Sequence, residues 1–406
     1  MKILFLTENF PPETNAAATR VFERALYWVS AGHQVTVITC APNFPHGKVF
    51  DGYQNRWRQT EDMSGVTVVR VKTYIAANAG VVRRSLDFLS FLATGFWAGL
   101  RAPKADVVCA TSPQFFAAVA GWAIGLVRRT PFVFELGDLW PMSIAAVGVM
   151  KKGLLLGCME KFELFLYRRS AAIAALTNAF KANLISRGID EAKIHVVLNG
   201  VDLPRYQPRD RNQILAQKWG LVDKFVVGYV GTHGMAHGLR NVLDAAEIVR
   251  SDDHIRFLLA GAGAERDMLI QSAQQRGLDN VIFMPPQPKE NMPDVWSLCD
   301  VALVHLKDSP AFADVIPSKI FEAMAMGLPI LLCSPKGEAS DIIDRHQAGL
   351  WVPAEKPDEL AQAVCRLHTN DDSRRRYREC ALAAAPQHSR EKQADEMLDV
   401  FQGVLK

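Results

Sequence analysis

The sequence predicts an α/β chain of two parallel-sheet domains, and three observations carry that reading. At 406 residues the chain exceeds one ordinary domain and suits two. Strand, helix and strand follow one another within the first 40 residues, a βαβ unit whose crossover implies a parallel sheet. The same pattern restarts near residue 225, after a polar stretch that contains Pro204 and Pro208. The expected limits are 1–203 for the first domain, 204–385 for the second, and 386–406 for a C-terminal helix able to cross back to the first.

The elements follow in order. Residues 2–7 form an apolar run too short for a signal peptide and without a cleavage site, so they read as the first strand. A polar loop leads to a helix over about 16–31, which Gly32 and His33 end before a second strand at 34–39. Residues 66–72, 106–110 and 131–136 continue as strands. In the second half, strands are expected at 225–230, 256–260, 281–284, 301–306 and 329–333, with a helix at 239–250 and a last one at 391–406. Ligands in such sheets bind beyond the carboxyl ends of the strands, so a cleft between the domains is the expected site. The longest charge-free apolar stretches, 88–100 and 115–127, fall short of the about 18 residues that a membrane span needs.

Composition narrows the function classes. Apolar residues make up 49% and charged residues 22%, which excludes disordered and fibrous chains. Residues 1–205 carry 23 Lys and Arg against 15 Asp and Glu, a net of +8, and the remainder carries 23 against 28, a net of −5. A basic first half points to an anionic partner such as phosphate or lipid headgroups; no nucleic-acid-binding motif accompanies it. Seven scattered cysteines without a C-x-x-C pair read as buried free thiols in a reducing cytoplasm. No Asp-x-Asp, His-Glu-x-x-His, Walker P-loop or Gly-x-Ser-x-Gly occurs, and no Gly-x-Gly-x-x-Gly follows the first strand. Metal-held diphosphate, hydrolase and dehydrogenase chemistry therefore lose their anchors, and no metal is expected.

The most informative segment spans residues 313–330. Pro317 and Ser318 read as a helix start with Ser318 as N-cap. Lys319 in the first turn opposes the helix dipole unless an anion lies between them, held by amides, dipole and ammonium together. Glu322 follows about a turn later on nearly the same face, and Asp314 lies eight residues before it. An ordinary amphipathic helix with solvated Lys and Glu is the alternative.

An acidic residue, seven spacers and Glu322, followed by Ala-Met-Ala-x-Gly-x-Pro late in a two-domain chain, closely resembles the family 4 nucleotide-sugar glycosyltransferases of GT-B fold. Pro11-Pro12, Gly32-His33, the segment 198–202, Gly231 and Gly261-Ala262-Gly263 extend the likeness along the chain. The resemblance implies two Rossmann-like domains facing across a cleft, the first for the acceptor and the second for the nucleotide-sugar. Residues 317–322 are similar to the subgroup that builds bacterial O-antigens and capsules, N-acetyl-L-fucosamine transferases among them. Carried to this chain, the resemblance places Glu322 on the ribose hydroxyls, Asp314 at the donor sugar and Lys319 at the diphosphate. Ser318, Gly261, Gly263, Met284 and Pro285 complete the nucleotide site. The implied donor is a UDP-sugar, with no other cofactor. The implied acceptor is a polyprenyl-diphosphate-linked saccharide at the inner face of the cytoplasmic membrane, and transfer retains the anomeric configuration.

Three departures stand out. Asn15-Ala16 replace a family Gly-Gly pair, at a helix N-terminus that still presents free amides. Thr232 and His237 replace an Arg and Lys five apart, in a loop that also holds Gly231, His233 and Gly234; two imidazoles then cradle phosphate with less charge, and Lys319 becomes the one fixed cation. Gly137 stands where a catalytic His precedes Asp, which leaves Asp138 to polarise a hydroxyl, with Glu135 as a second candidate. Membrane contact is a further expectation. Arg83-Arg84 precede the run 86–92, which includes Phe91, and Phe96-Trp97 precede Arg101. Lys151-Lys152 precede 154–156, and Phe162, Phe165, Leu166 and Tyr167 run into Arg168-Arg169. Two rivals stay open on sequence alone: a UDP-sugar 2-epimerase of the same architecture, and a non-catalytic nucleotide- or lipid-binding protein.

Overall fold

The computed structural model describes residues 1–44, 47–75, 81–112, 115–139 and 154–406. The chain divides into two compact units, Met1–Asn199 with Arg390–Lys406, and Gly200–Ser389. These divisions fall a few residues from the sequence-read limits of 203 and 385.

The strands of the first unit are β1 (Lys2–Leu6), β2 (Gln34–Cys40), β3 (Arg58–Met63), β4 (Val66–Val71), β5 (Val107–Thr111), β6 (Phe132–Leu136), β7 (Ala172–Ala175) and β8 (Ile194–Val196). They lie in the order β3-β4-β2-β1-β5-β6-β7-β8, parallel except for the antiparallel β3–β4 pair. Among the described residues its helices before the C-terminal segment are α1 (Ala16–Ser30), α2 (Val81–Arg101), α3 (Phe115–Arg128), α4 (Leu154–Arg169) and α5 (Asn178–Ser186). The interior strands read as apolar runs because helices cover both faces of a parallel sheet; every residue of β5 and β6 is buried. Asn15 starts α1 by accepting from Ala18 N at 3.0 Å.

The second unit has β9 (Phe225–Val230), β10 (Ile255–Ala260), β11 (Val281–Met284), β12 (Val301–His305), β13 (Ile330–Ser334) and β14 (Gly349–Pro353). All are parallel, in the order β11-β10-β9-β12-β13-β14. Its helices are α6 (Gln213–Lys218), α7 (Arg240–Ile248), α8 (Arg266–Gln275), α9 (Met292–Ser297), α10 (Lys319–Met326), α11 (Glu338–His346), α12 (Pro357–Thr369) and α13 (Asp371–Ala384). The last helix, α14 (Arg390–Gly403), belongs to the first unit. There Trp28 Nε1 donates to Ala394 O at 3.0 Å, and the buried Arg390 pairs with Glu23 at 3.1 Å and donates to Asn199 Oδ1 at 2.7 Å.

Several apolar residues read as membrane-facing belong to the core instead: Phe91, Leu166 and Tyr167 are buried where α2 and α4 meet the sheet. Lys151 and Lys152 lie outside the described residues. Of the cysteines, which sit mostly in apolar runs, Cys40, Cys109, Cys299 and Cys333 are buried and Cys380 is half-buried, whereas Cys158 and Cys365 are exposed. Among the described residues no helix is long and apolar enough to cross a membrane.

Candidate active site

In each sheet the strand order reverses direction beside a central strand: β1 separates β2 from β5, and β9 separates β10 from β12. Crevices of open α/β sheets lie at the carboxyl ends of such strands. In the second unit, β9 ends at Gly231, and the loop that follows is pinned on several sides. Tyr229 Oη donates to Thr232 O at 2.7 Å, His233 N donates to Ala262 O at 2.8 Å, and Glu265 N donates to His233 O at 2.9 Å. The carbonyl of His237 lies 2.7 Å from His305 Nδ1. A carbonyl only accepts, so His305 carries its proton on Nδ1, and in the neutral ring Nε2 accepts from Asn241 Nδ2 at 2.8 Å. His305 is fully buried at the end of β12 and fixes the turn before α7.

Lys319 opens α10, and its Nζ lies 3.6 Å from the centroid of the Tyr229 ring. A β-carbon at Gly231 would sit 2.8 Å from that Nζ, so any side chain there would displace the ammonium. The Nζ is buried and has no hydrogen-bond partner. Burial pushes its pKa down to about 7, with Glu322 pulling upward. His233 is fully buried with both ring nitrogens unbonded, and burial, then Arg266 and Lys319, hold it at about 4. His237, its Nδ1 unbonded, is held at about 3, by burial first and Lys319 next.

Both imidazoles are therefore neutral at pH 7 and offer dipoles rather than charge. Burial likewise works against the charged form of Lys319, and an anion beside it would favour that form. A further cation, Arg266 at the start of α8, acts on His233 and donates Nε to Gly261 O at 3.1 Å. Buried polar groups without partners carry a desolvation penalty. Three of them, Lys319, His233 and His237, are electrostatically coupled around Gly231. A multiply charged oxyanion would satisfy all three.

The other predicted residues surround this cluster unevenly. Gly261 and Gly263 run against the carbonyls of Gly231 and His233, too close for a β-carbon. Met284 is buried and its carbonyl accepts from Gly261 N at 3.1 Å, whereas Pro285 and Thr232 are exposed. Gly234 precedes the short 3₁₀ turn Met235–His237. Ser318 does not cap α10. Its backbone is already helical (φ −58°, ψ −27°) because the turn begins at Pro317, whose carbonyl accepts from Ile320 N at 3.1 Å. The hydroxyl is thereby left out of the backbone bonding. Glu322 is half-buried, and its Oε2 accepts from Trp296 Nε1 at 3.2 Å. Asp314 is also half-buried, with burial first and then Glu338 raising its carboxyl above the usual range.

In the first unit, Asn15 and Ala16 form the N-terminus of α1, as the sequence suggests. Glu135 is not available to an acceptor hydroxyl. It is 1% exposed, accepts from Arg20 Nε at 3.0 Å and from Arg24 Nη2 at 2.9 Å, and so belongs to a sealed ion cluster. Asp138 is half-buried just beyond β6, its N–H 3.3 Å from Ser112 Oγ. Between them, a β-carbon at Gly137 would lie 2.5 Å from Ser112 O and 3.1 Å from Arg20 Nη2. The backbone has closed over the place of the family histidine. Gly137→His is expected to cost about 1–3 kcal/mol, as overpacking does, and to gain no turnover. An unchanged melting temperature would overturn this packing argument.

Residues 15–200 match the family described as Glycosyl transferase 4-like domain, and residues 211–383 match Glycosyl transferases group 1. The chain belongs to these glycosyltransferases. The transferase is 27% identical over 335 residues to WcaI, a putative colanic acid biosynthesis glycosyl transferase of Escherichia coli K12, covering 80% of this chain and 82% of that one. It is 24% identical to a GDP-mannose-dependent alpha-mannosyltransferase of Mycobacterium tuberculosis, covering 100% and 97%. Anabaena HepE, solved in complex with UDP-glucose, superposes with a TM-score of 0.73 at 19% identity over 98% and 99% of the chains. That likeness shows the two-sheet GT-B fold.

Three residues of the glycosyltransferase's second unit escaped the sequence reading: Arg266, His305 and Asn241. Arg266 had a signal, three residues beyond Gly263 at the start of a helix. His305 and Asn241 had none, being 64 residues apart and joined only by the fold.

Proposed function

We propose that this glycosyltransferase moves a sugar, with retention, from a UDP-sugar to a polyprenyl-diphosphate-linked saccharide in the building of a bacterial surface polysaccharide. The observation that carries the donor half is the buried, partnerless ammonium of Lys319 against Gly231 at the first turn of α10. A nucleotide diphosphate supplies the missing counter-charge, and binding draws Lys319 fully to its ammonium form. Glu322 takes the ribose hydroxyls, a task for which two carboxylate oxygens are apt. Asp314 faces the donor sugar. As the bond to the anomeric carbon breaks, charge grows on the departing diphosphate, where Lys319, Arg266 and the α10 amides stabilise it. The acceptor arrives on the same face, its hydroxyl polarised by Asp138.

UDP is favoured by the UDP-glucose complex of HepE, and N-acetyl-L-fucosamine is the first sugar to test, from the likeness of residues 317–322. The lipid-linked acceptor is supported by the basic first half and by the colanic acid assignment of WcaI. It places the protein peripherally at the inner face of the cytoplasmic membrane. The test is purified protein with defined UDP-, GDP- and dTDP-sugars and a lipid-linked acceptor. Product from GDP-mannose alone would replace the donor, and no product from any of them would sink the proposal.

Glu322→Ala is expected to weaken UDP binding by about 1–3 kcal/mol, as for loss of a hydrogen bond to a charged group. Calorimetric titration checks it, alongside an unchanged melt of the empty protein. Unaltered affinity would reduce Glu322 to a partner of Trp296.

A further inference from the structure

Helix α2 carries apolar residues on both its faces. Its inward side, with Phe91, Ala98 and Ala102, packs into the sheet core. Its outward side should be polar, yet the exposed positions recurring at helical spacing are Arg83, Leu86, Leu89, Ala93, Trp97 and Arg101. Leu86 and Leu89 are each nearly half exposed, and Trp97 is 57% exposed. The stripe is apolar along its length with a guanidinium near each end. Beside it, Trp57 at the start of the edge strand β3 is 74% exposed. Trp57 and Trp97 line one open cavity of about 440 Å³ together with Arg58 and Arg101. Each indole lies under a cation, Lys72 at 5.1 Å from the Trp57 centroid and Arg101 at 5.3 Å from that of Trp97. The single acid of α2, Asp87, is half-buried.

We propose that this face docks the first unit on an anionic lipid bilayer, with the cavity between Trp57 and Trp97 seating a headgroup phosphate against Arg58 and Arg101. The inference rests on the reading of a lipid-linked acceptor and deepens it by naming the docking surface. Indoles favour the boundary between headgroup and acyl chain, leucines gain by burial just below it, and surface arginines are drawn to anionic lipid. Charge selects this occupant over a second copy of the chain. A two-fold contact would bring the guanidiniums of Arg58, Arg83 and Arg101 together, with no exposed acid on α2 and one, Asp62, on β3 to answer them.

The test is co-sedimentation of the full chain with phosphatidylglycerol or phosphatidylcholine vesicles, without donor or acceptor. Wild type is expected to bind the phosphatidylglycerol vesicles, to bind phosphatidylcholine poorly, and to release as salt rises. R58A/R101A is expected to weaken partition about 10–100-fold, and W57S/W97S comparably. Both should keep the wild-type melt and the UDP-induced melting shift, which separates this surface from the nucleotide site. Wild type that ignores both vesicles overturns the proposal, as do variants that bind undiminished. So does a wild-type dimer by light scattering that W57S/W97S dissolves, which would assign the face to self-association. None of these outcomes touches the transferase reading, which is decided by product formation.

Discussion

Lys319→Met is expected to lose about 10²–10³-fold in kcat while the empty protein melts no lower than wild type. Methionine keeps the length of the side chain and rests on the Tyr229 ring, so little packing is lost. What disappears is a buried ammonium that makes no hydrogen bond within the protein. Its interaction is stronger with the departing diphosphate than with the intact donor, so its loss falls on the chemical step and kcat drops more than KM rises. The stability half has a pH signature. Lys319 falls from its ordinary 10.5 to about 7 on folding, so between those values the unfolded chain holds more protons and stability rises with pH. Below pH 7 the penalty of the buried ammonium is present in full. The variant lacks this slope, so its melting advantage is greatest at or below pH 7 and fades toward pH 10. Scanning calorimetry over that range, with single-turnover kinetics, checks both halves. Near-normal turnover, or activity lost only through unfolding, would move the anion site to His233 and Arg266.

What the sequence shows and hides follows from burial. Strands covered on both faces announce themselves as unbroken apolar runs, so 225–230 and 281–284 are read with the limits that β9 and β11 have. β3 escapes because Arg58, Gln59, Thr60, Glu61, Asp62 and Met63 alternate between exposed and half-buried positions at a sheet edge. β7 is mostly alanine, and in β14 Gly349 and Pro353 leave only Leu350, Trp351 and Val352 between them, so both signals are short and weak. In the site, Lys319 and Glu322 are legible because a helix start sets them a turn apart. Ser318 misleads, since a residue type favoured at caps does not cap when the chain turns helical one residue early, at Pro317. Glu135 misleads for another reason: its place at the end of β6 suggests function, but the arginines that seal it lie more than a hundred residues earlier.

That sealing makes Glu135→Gln an expected loss of about 3–5 kcal/mol in stability, the cost of leaving buried guanidiniums without their anion. Glutamine matches the shape of the side chain but neutralises nothing. Arg24 would be hardest hit: its Nε and Nη1 already lack partners, and its guanidinium is wedged 5.6 Å from the Phe5 ring centroid and 5.0 Å from that of Trp28. Burial alone would raise the Glu135 carboxyl, but Arg24 and Arg20 outweigh it and hold the pKa at about 2 against an ordinary 4.5. A depressed acid stabilises fully above its unfolded pKa, and the contribution fades as pH falls from about 4.5 toward 2. Wild type and Glu135→Gln should thus unfold far apart in urea at pH 7 and draw together as the solution is acidified through that window. The triple variant Arg20→Met, Arg24→Leu and Glu135→Leu should recover most of the loss, because apolar residues of similar volume replace the whole ionic group rather than half of it. A chemical role for the carboxylate gives a different pattern: Glu135→Gln melting with wild type yet inactive, and a stable triple variant equally dead. If that pattern appears, the ion cluster is part of the reaction and not of the scaffold.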